Sequence, residues 1–241
     1  KVRQRDFFLA MLSHELRNTL AAMVSASAQL STSVLINPSV DEAERNSQDD
    51  ATAMDDATDA LGVISRQASH MKRMLDDLLE VSRMTQNRMV MQKAAFDILT
   101  TVPAVLECVN DRIAAKPLTL IVEQPDHPVY IYGDAARLQQ AQVNLLTNAI
   151  RFTPPDGEIT FRLSVDHGHL NVIVSDTGVG LSLEALSQVF DVFYQTEQRA
   201  DRPLGGLGVG LPLTRFIAQK HDGALSASSN GVNKGSIFTL R

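Results

Sequence analysis

Asn144-Leu145-Leu146-Thr147-Asn148-Ala149-Ile150-Arg151-Phe152-Thr153-Pro154 reads as a helix with two unlike faces. Asn144, Asn148 and Arg151 stand at i, i+4 and i+7 and share one face, while Leu145, Leu146 and Ile150 point away from it. The shared face carries neutral oxygen ligands beside a cation. That set suits a hydrated Mg²⁺ held against a polyphosphate, because Mg²⁺ keeps several waters and takes only one or two protein oxygens. In isolation the segment reads more readily as two solvated asparagines, so its neighbours decide.

Downstream, Leu170 to Ser175 is an apolar, β-branched run, read as a buried strand that delivers Asp176-Thr177-Gly178-Val179-Gly180 at its end. A carboxylate followed by glycines lets backbone pass close under a flat ligand while the Asp accepts a hydrogen bond from an exocyclic amine. Next comes Gly205-Gly206-Leu207-Gly208-Val209-Gly210-Leu211, directly before an apolar helix from Leu213 to Lys220. Glycines there free N–H groups at a helix start, where anionic phosphates are favoured. A dinucleotide fingerprint is excluded, since the glycine spacing is wrong and no strand leads straight into it. Asp176-Thr177-Gly178 also matches the aspartic-protease tripeptide, but that chemistry needs two such carboxylates and the chain has no second copy.

Around these segments the elements alternate. Phe96 to Leu99 reads as a short strand and Val102, Val105, Leu106, Val109 and Ile113 as a helix. Leu118 to Val122 and Val129 to Tyr132 read as strands, and Asp134 caps the helix carrying Asn144 and Asn148. Glu158 to Val165 and His169 to Ser175 form a hairpin about Asp166-His167-Gly168, and Gly223 to Ser229 pairs with Ser236 to Leu240. His167 and His169 are turn residues, not a metal pair. The sum is helices on one side of a mixed sheet.

Residues 1–92 have a different period. Leu9, Leu16, Met23 and Leu30 recur every seventh position with Leu12 and Ala26 between them, an apolar bundle seam. His14 falls opposite that seam, exposed, with Glu15 beside it to hold the imidazole or take its proton. An exposed neutral imidazole is a competent nucleophile. Asn37-Pro38 stops the helix. The acids Asp41, Glu42, Glu44, Asp49, Asp50, Asp55, Asp56 and Asp59 against the single base Arg45 predict a solvated, mobile loop over 41–59. Leu61, Ile64, Ala68, Met71, Leu75, Leu78, Ser82, Thr85 and Met89 then mark a second long helix, antiparallel to the first. A hairpin with one apolar seam cannot bury it alone, so a homodimer closing a four-helix bundle is expected. The fold class is α+β: the helical module over 1–92, then an α/β sandwich with a mixed sheet over 93–241.

Together these segments resemble the dimerisation and ATP-binding core of a bacterial sensor histidine kinase. His14-Glu15-Leu16-Arg17-Asn18 resembles its H box and Asn144 to Phe152 its N box. Asp176 to Gly180 resembles the G1 box, Phe190-Asp191-Val192-Phe193-Tyr194 the F box and Gly206 to Gly210 the G2 box. The resemblance implies an ATP-dependent autokinase that passes the phosphoryl group from His14 to an Asp of a response-regulator receiver domain, with receiver phosphatase activity. It implies His14 as phosphoacceptor and Glu15 as acid/base, with Asn18 orienting water for receiver dephosphorylation. Asn148 would ligate Mg²⁺ with Asn144 beside it and Arg151 near the phosphates. Asp176 would bond the adenine amine over Gly178 and Gly180, and Gly206, Gly208 and Gly210 would end the ATP lid. Residues 191–207 are the expected moving part, and Arg199 and Arg202 read equally as γ-phosphate contacts and as solvated lid charges. Thr19 and Val192 stand where the family usually has Pro. The first predicts a straighter helix past His14, the second a more mobile lid. A nucleotide-binding dimeric scaffold, acting mainly as phosphatase or without turnover, is the alternative.

Composition bounds the rest. The chain has 241 residues, 44% of them hydrophobic, enough for two modules. Cys108 is alone, which excludes a disulfide framework and fits a reduced cytoplasmic setting. Lys and Arg number 22 against 28 acids, with no basic stripe among aromatics, so nucleic acid is not an expected partner. Lys1-Val2-Arg3 reads as the inside of a helix, so the chain is expected to be a piece of something longer, attached to a membrane only through segments absent from it.

Overall fold

The computed structural model describes residues 16–31, 47–195 and 207–241, with backbone alone for 47–56. Its contacts divide the chain into two compact units between Leu79 and Glu80. The architecture is α+β, a helical hairpin region followed by a five-stranded mixed sheet.

In the first unit, helix α1 spans 16–31 and helix α2 starts at Ser47, running Ser47–Thr85. The acidic stretch over 47–59 is therefore helix, not the loop expected. Ala51, Ala53, Met54, Ala57 and Ala60 are strong helix formers with no Pro or Gly before Gly62, and acids in the opening turns favour the positive end of the macrodipole. Residues 41–46, like Asn37-Pro38, Leu9 and Leu12, lie outside the described residues. On α1 the seam lies where expected, with Ala26 buried and Thr19 buried one heptad before it. On α2 it is displaced by one position, Ala60 and Met74 being buried, whereas Leu61 and Leu75 of the expected seam are 57% and 48% exposed. Each column repeats with a heptad period. The apolar stripe of α2 is thus wider than one a/d seam, and the hairpin consumes only its inner edge.

The second unit holds a two-stranded ladder, β1 (Ala94–Asp97) with β3 (Tyr130–Gly133), and a sheet of order β2-β4-β5-β7-β6. The strands are β2 (Thr119–Glu123), β4 (Glu158–Asp166), β5 (His169–Asp176), β6 (Leu225–Ser228) and β7 (Ser236–Leu240). β2 pairs parallel with β4, and every other neighbour is antiparallel. The small ladder stands apart because β1 ends early. The Asp97 carboxylate accepts the N–H groups of Leu99 and Val129, turning Ile98–Thr101 into a 3-10 helix that buries Ile98.

Helices α3 (Val102–Ala114), α4 (Ala135–Phe152) and α6 (Gly210–Lys220) cover one face of the sheet, with α4 packed on both others. Inward Ile159, Phe161, Leu163, Val172, Val174, Phe238 and Leu240 are buried, while the alternate residues Arg162 and Ile237 are exposed. The short helix α5 (Leu183–Gln188) is N-capped by the Ser182 hydroxyl. Among the described residues no helix is long and apolar enough to cross a membrane.

Candidate functional site

Both ends of α4 are fixed by groups from elsewhere in the chain. Asp134 caps its start, Oδ1 accepting from the Arg137 N–H at 3.1 Å and Oδ2 from the Gln92 N–H at 2.8 Å. The Asp134 N–H donates to His221 Nε2 at 2.8 Å, which leaves the ring proton on Nδ1, 2.8 Å from the Ile217 carbonyl near the end of α6. At the other end Thr153 folds back on the Ala149 carbonyl through its N–H at 2.9 Å and its hydroxyl at 2.7 Å. The Lys116 ammonium donates to the carbonyls of Ile150, at 2.9 Å, and Thr153, placing a cation at the negative end of the helix.

The Phe152 carbonyl is left for the Val179 N–H, 3.1 Å away, and this bond hangs the segment after β5 from the last turn of α4. Asp176, the final residue of β5, is 7% exposed. Its Oδ1 accepts from the Gly178 N–H at 2.8 Å, and the Ser236 N–H also donates to the carboxylate. Burial pushes the carboxyl above its ordinary value, and these two N–H groups pull the other way. A carboxylate has about four acceptor positions, so two donors leave room for a ligand amine. A Cβ on Gly178 would stand 2.5 Å from the Phe152 oxygen and 2.7 Å from Asp176 Oδ1. Gly180 has φ of 62°, and a Cβ there would lie 2.1 Å from the Gly231 oxygen.

The glycine segment meets the asparagine face directly. Asn144 Nδ2 donates to the Gly210 carbonyl at 3.3 Å, and Gly210 is the first residue of α6. The Phe193 N–H donates to the Gly208 carbonyl at 3.1 Å. Asn148 is half-buried on the next turn of α4, as is Arg151, whose guanidinium carbon lies 5.1 Å from the Phe152 ring centre. α4 is therefore the spine of the site, with Gly210 against Asn144 and the Asp176 segment against Phe152. Asn18 is exposed on α1 in the other unit. His14, Glu15 and Gly206, with Arg199 and Arg202, lie outside the described residues.

Among the described residues no three His, Cys, Asp or Glu gather for a metal ion. The donor set fits a cation that brings its own water and phosphate ligands, with Asn148 as a neutral oxygen ligand. The loop Ser229–Gly235 between β6 and β7 was missed by sequence reasoning. Its turn residues Asn230-Gly231 and Asn233 with Gly235 are plain in the sequence, but that it underlies the Asp176 segment follows from the pairing of β5 with β7.

Residues 4–87 match the family described as the His Kinase A (phospho-acceptor) domain, and residues 133–241 the histidine kinase-, DNA gyrase B- and HSP90-like ATPase. Autoinducer 2 sensor kinase/phosphatase LuxQ of Vibrio vulnificus is 29% identical over 99% of this chain and 26% of its own length. Sensor protein kinase WalK of Staphylococcus saprophyticus is 26% identical over 98% of this chain and 36% of its own length. The chain thus spans about a quarter to about a third of these relatives. The mycobacterial sensor histidine kinase MprB is similar in structure, with a TM-score of 0.53 and 26% identity over 61% of this chain and 94% of that one. Histidine kinase ThkA, solved in complex with response regulator protein TrrA, shares the fold over 100% of this chain and 63% of that one, at a TM-score of 0.65 and 18% identity. With both domain families matched in this order, and the ATPase match enclosing α4, Asp176 and Gly210, the chain belongs to the sensor histidine kinases and carries their two-domain core.

Proposed function

We propose that the chain is an ATP-dependent protein histidine autokinase that hands its phosphoryl group to an Asp of a response-regulator receiver domain. The observation that carries this reading is the joint between Asn144 and Gly210, which brings the asparagine face of α4 to the start of α6, while Val179 ties the Asp176 segment to the same helix. A base-recognising carboxylate and a phosphate-facing helix start on one spine suit an adenine nucleotide.

In this reading residues 1–92 are the dimerisation and phosphotransfer module and 93–241 the catalytic one. Asp176 accepts the adenine amine, and Gly178 keeps the floor beneath the base free of side chain. Asn148 would hold Mg²⁺, which supplies charge neutralisation along the triphosphate when bound. Arg151 and the N–H groups before α6 orient the phosphates. The His14 imidazole attacks the γ-phosphorus and the bond to the ADP oxygen breaks. Glu15 takes the imidazole proton. The phosphoryl group then passes to a receiver carboxylate, and Asn18 orients water for its later removal. The family fold of the first unit supports a homodimer, and the TrrA complex of ThkA supports a receiver as the partner class.

The test is incubation with γ-labelled ATP and Mg²⁺. Wild type is expected to take up acid-labile, base-stable label, and His14→Gln to take up none while keeping ATP affinity within about threefold, since nucleophile and nucleotide site belong to different modules. Label that persists in His14→Gln ends the assignment of His14. Nucleotide binding with no label at all favours the scaffold reading.

A further inference from the structure

Ser229 lies just after β6, 48 residues from the nearest part of the Asp176 segment, and its hydroxyl joins both strands of chain that donate to Asp176. Oγ accepts the Leu181 N–H at 3.0 Å and the Gly231 N–H at 3.3 Å, and contacts the carbonyls of Gly235 at 2.6 Å and Gly231 at 3.2 Å. A hydroxyl has one proton, and the shorter contact takes it. Leu181 closes the segment that begins with Asp176 and Gly178, and Gly235 precedes Ser236. The two N–H groups that hold the carboxylate, from Gly178 and Ser236, thus belong to segments tied together at this oxygen. Further bonds run beside it, from Asn233 N–H to the Val179 carbonyl at 2.7 Å and from Gly235 N–H to the Gly178 carbonyl at 3.0 Å.

We infer that Ser229 is a positioning residue for base recognition: its hydroxyl fixes the spacing of the two backbone segments that aim the Asp176 carboxylate, and so sets how strictly an amino-purine is preferred. This rests on the adenine reading of Asp176. The neighbouring bonds keep the loop attached when the hydroxyl is lost, so the expected effect is looser aim with the fold retained. Aim matters because a site built to accept an amine rejects an oxo base only while the acceptor is held in place.

The experiment compares ATP with inosine triphosphate, which carries an oxo group where ATP carries the amine, binding each to wild type, Ser229→Ala and Ser229→Thr. Wild type is expected to prefer ATP by about tenfold or more. Ser229→Ala is expected to lose at least about fivefold of that preference, chiefly through weaker ATP binding, and Ser229→Thr, which keeps the hydroxyl, to recover most of it. A purely structural role would weaken both nucleotides alike and leave the ratio unchanged, and that result, or an unchanged affinity for both, overturns the inference. A wild type without preference for ATP removes the adenine reading of Asp176 and this inference with it.

Discussion

Asp176 makes opposing demands on stability and on binding. Losing its charge-assisted bond to an amine costs about 1.5–3 kcal/mol, so Asp176→Asn is expected to weaken ATP binding by that amount in calorimetric titration. The unliganded protein behaves the other way with pH. Burial raises the folded-state carboxyl above its unfolded value, so its contribution to stability is full below the unfolded pKa and is lost as pH rises through the folded one. Asparagine has no such titration. Unfolding of both proteins in urea, from acid to neutral pH without nucleotide, is expected to move steadily in the variant's favour as pH rises. A stability difference independent of pH contradicts this. The residues of the site that could be read from sequence were those whose partners are near in the chain or fixed by helical period, such as Asn144 with Asn148, or Asp176 with Gly178. Lys116 and Ser229 escaped because what they hold lies 34 and 48 residues away.

Among the elements, α4 was the most legible, since its cap, its period and its amphipathicity all agree. The hairpin β4–β5 was legible for a similar reason, its turn chemistry being local. What could not be read was which strands share a sheet, because the separation of β1–β3 depends on an Asp97 side chain bonding a residue 32 positions on. The start of α2 was missed because charge was weighed above helix propensity. Lys116 offers a test of α4 as a spine. Lys116→Met keeps the aliphatic stem and removes the cation from the last carbonyls, which is worth about 1–2 kcal/mol at a helix end. A fall of that size in unfolding free energy is expected, and an unchanged urea midpoint would show that the ammonium contributes nothing there.

At the scale of the molecule, the first unit leaves Leu20, Val24, Leu61, Leu75 and Leu79 at 48–67% exposure. Apolar side chains at helical spacing on one unit are the residue of the wide stripe that the hairpin leaves unburied, and the proposed homodimer would cover them. Leu75→Glu is expected to shift sedimentation from dimer to monomer without loss of ATP binding, which belongs to the other unit. A variant that sediments as wild type removes Leu75 from the dimer face.

The bond from the Phe193 N–H to the Gly208 carbonyl, together with the burial of Leu207 at 3%, closes a circuit in the chain. Whatever number of residues runs between those two points, the entropy of closing it is already committed at the base, and each doubling of its length costs only about 0.6 kcal/mol more. A change in the length of chain between these two anchored points is therefore expected to leave the packing of α4 undisturbed.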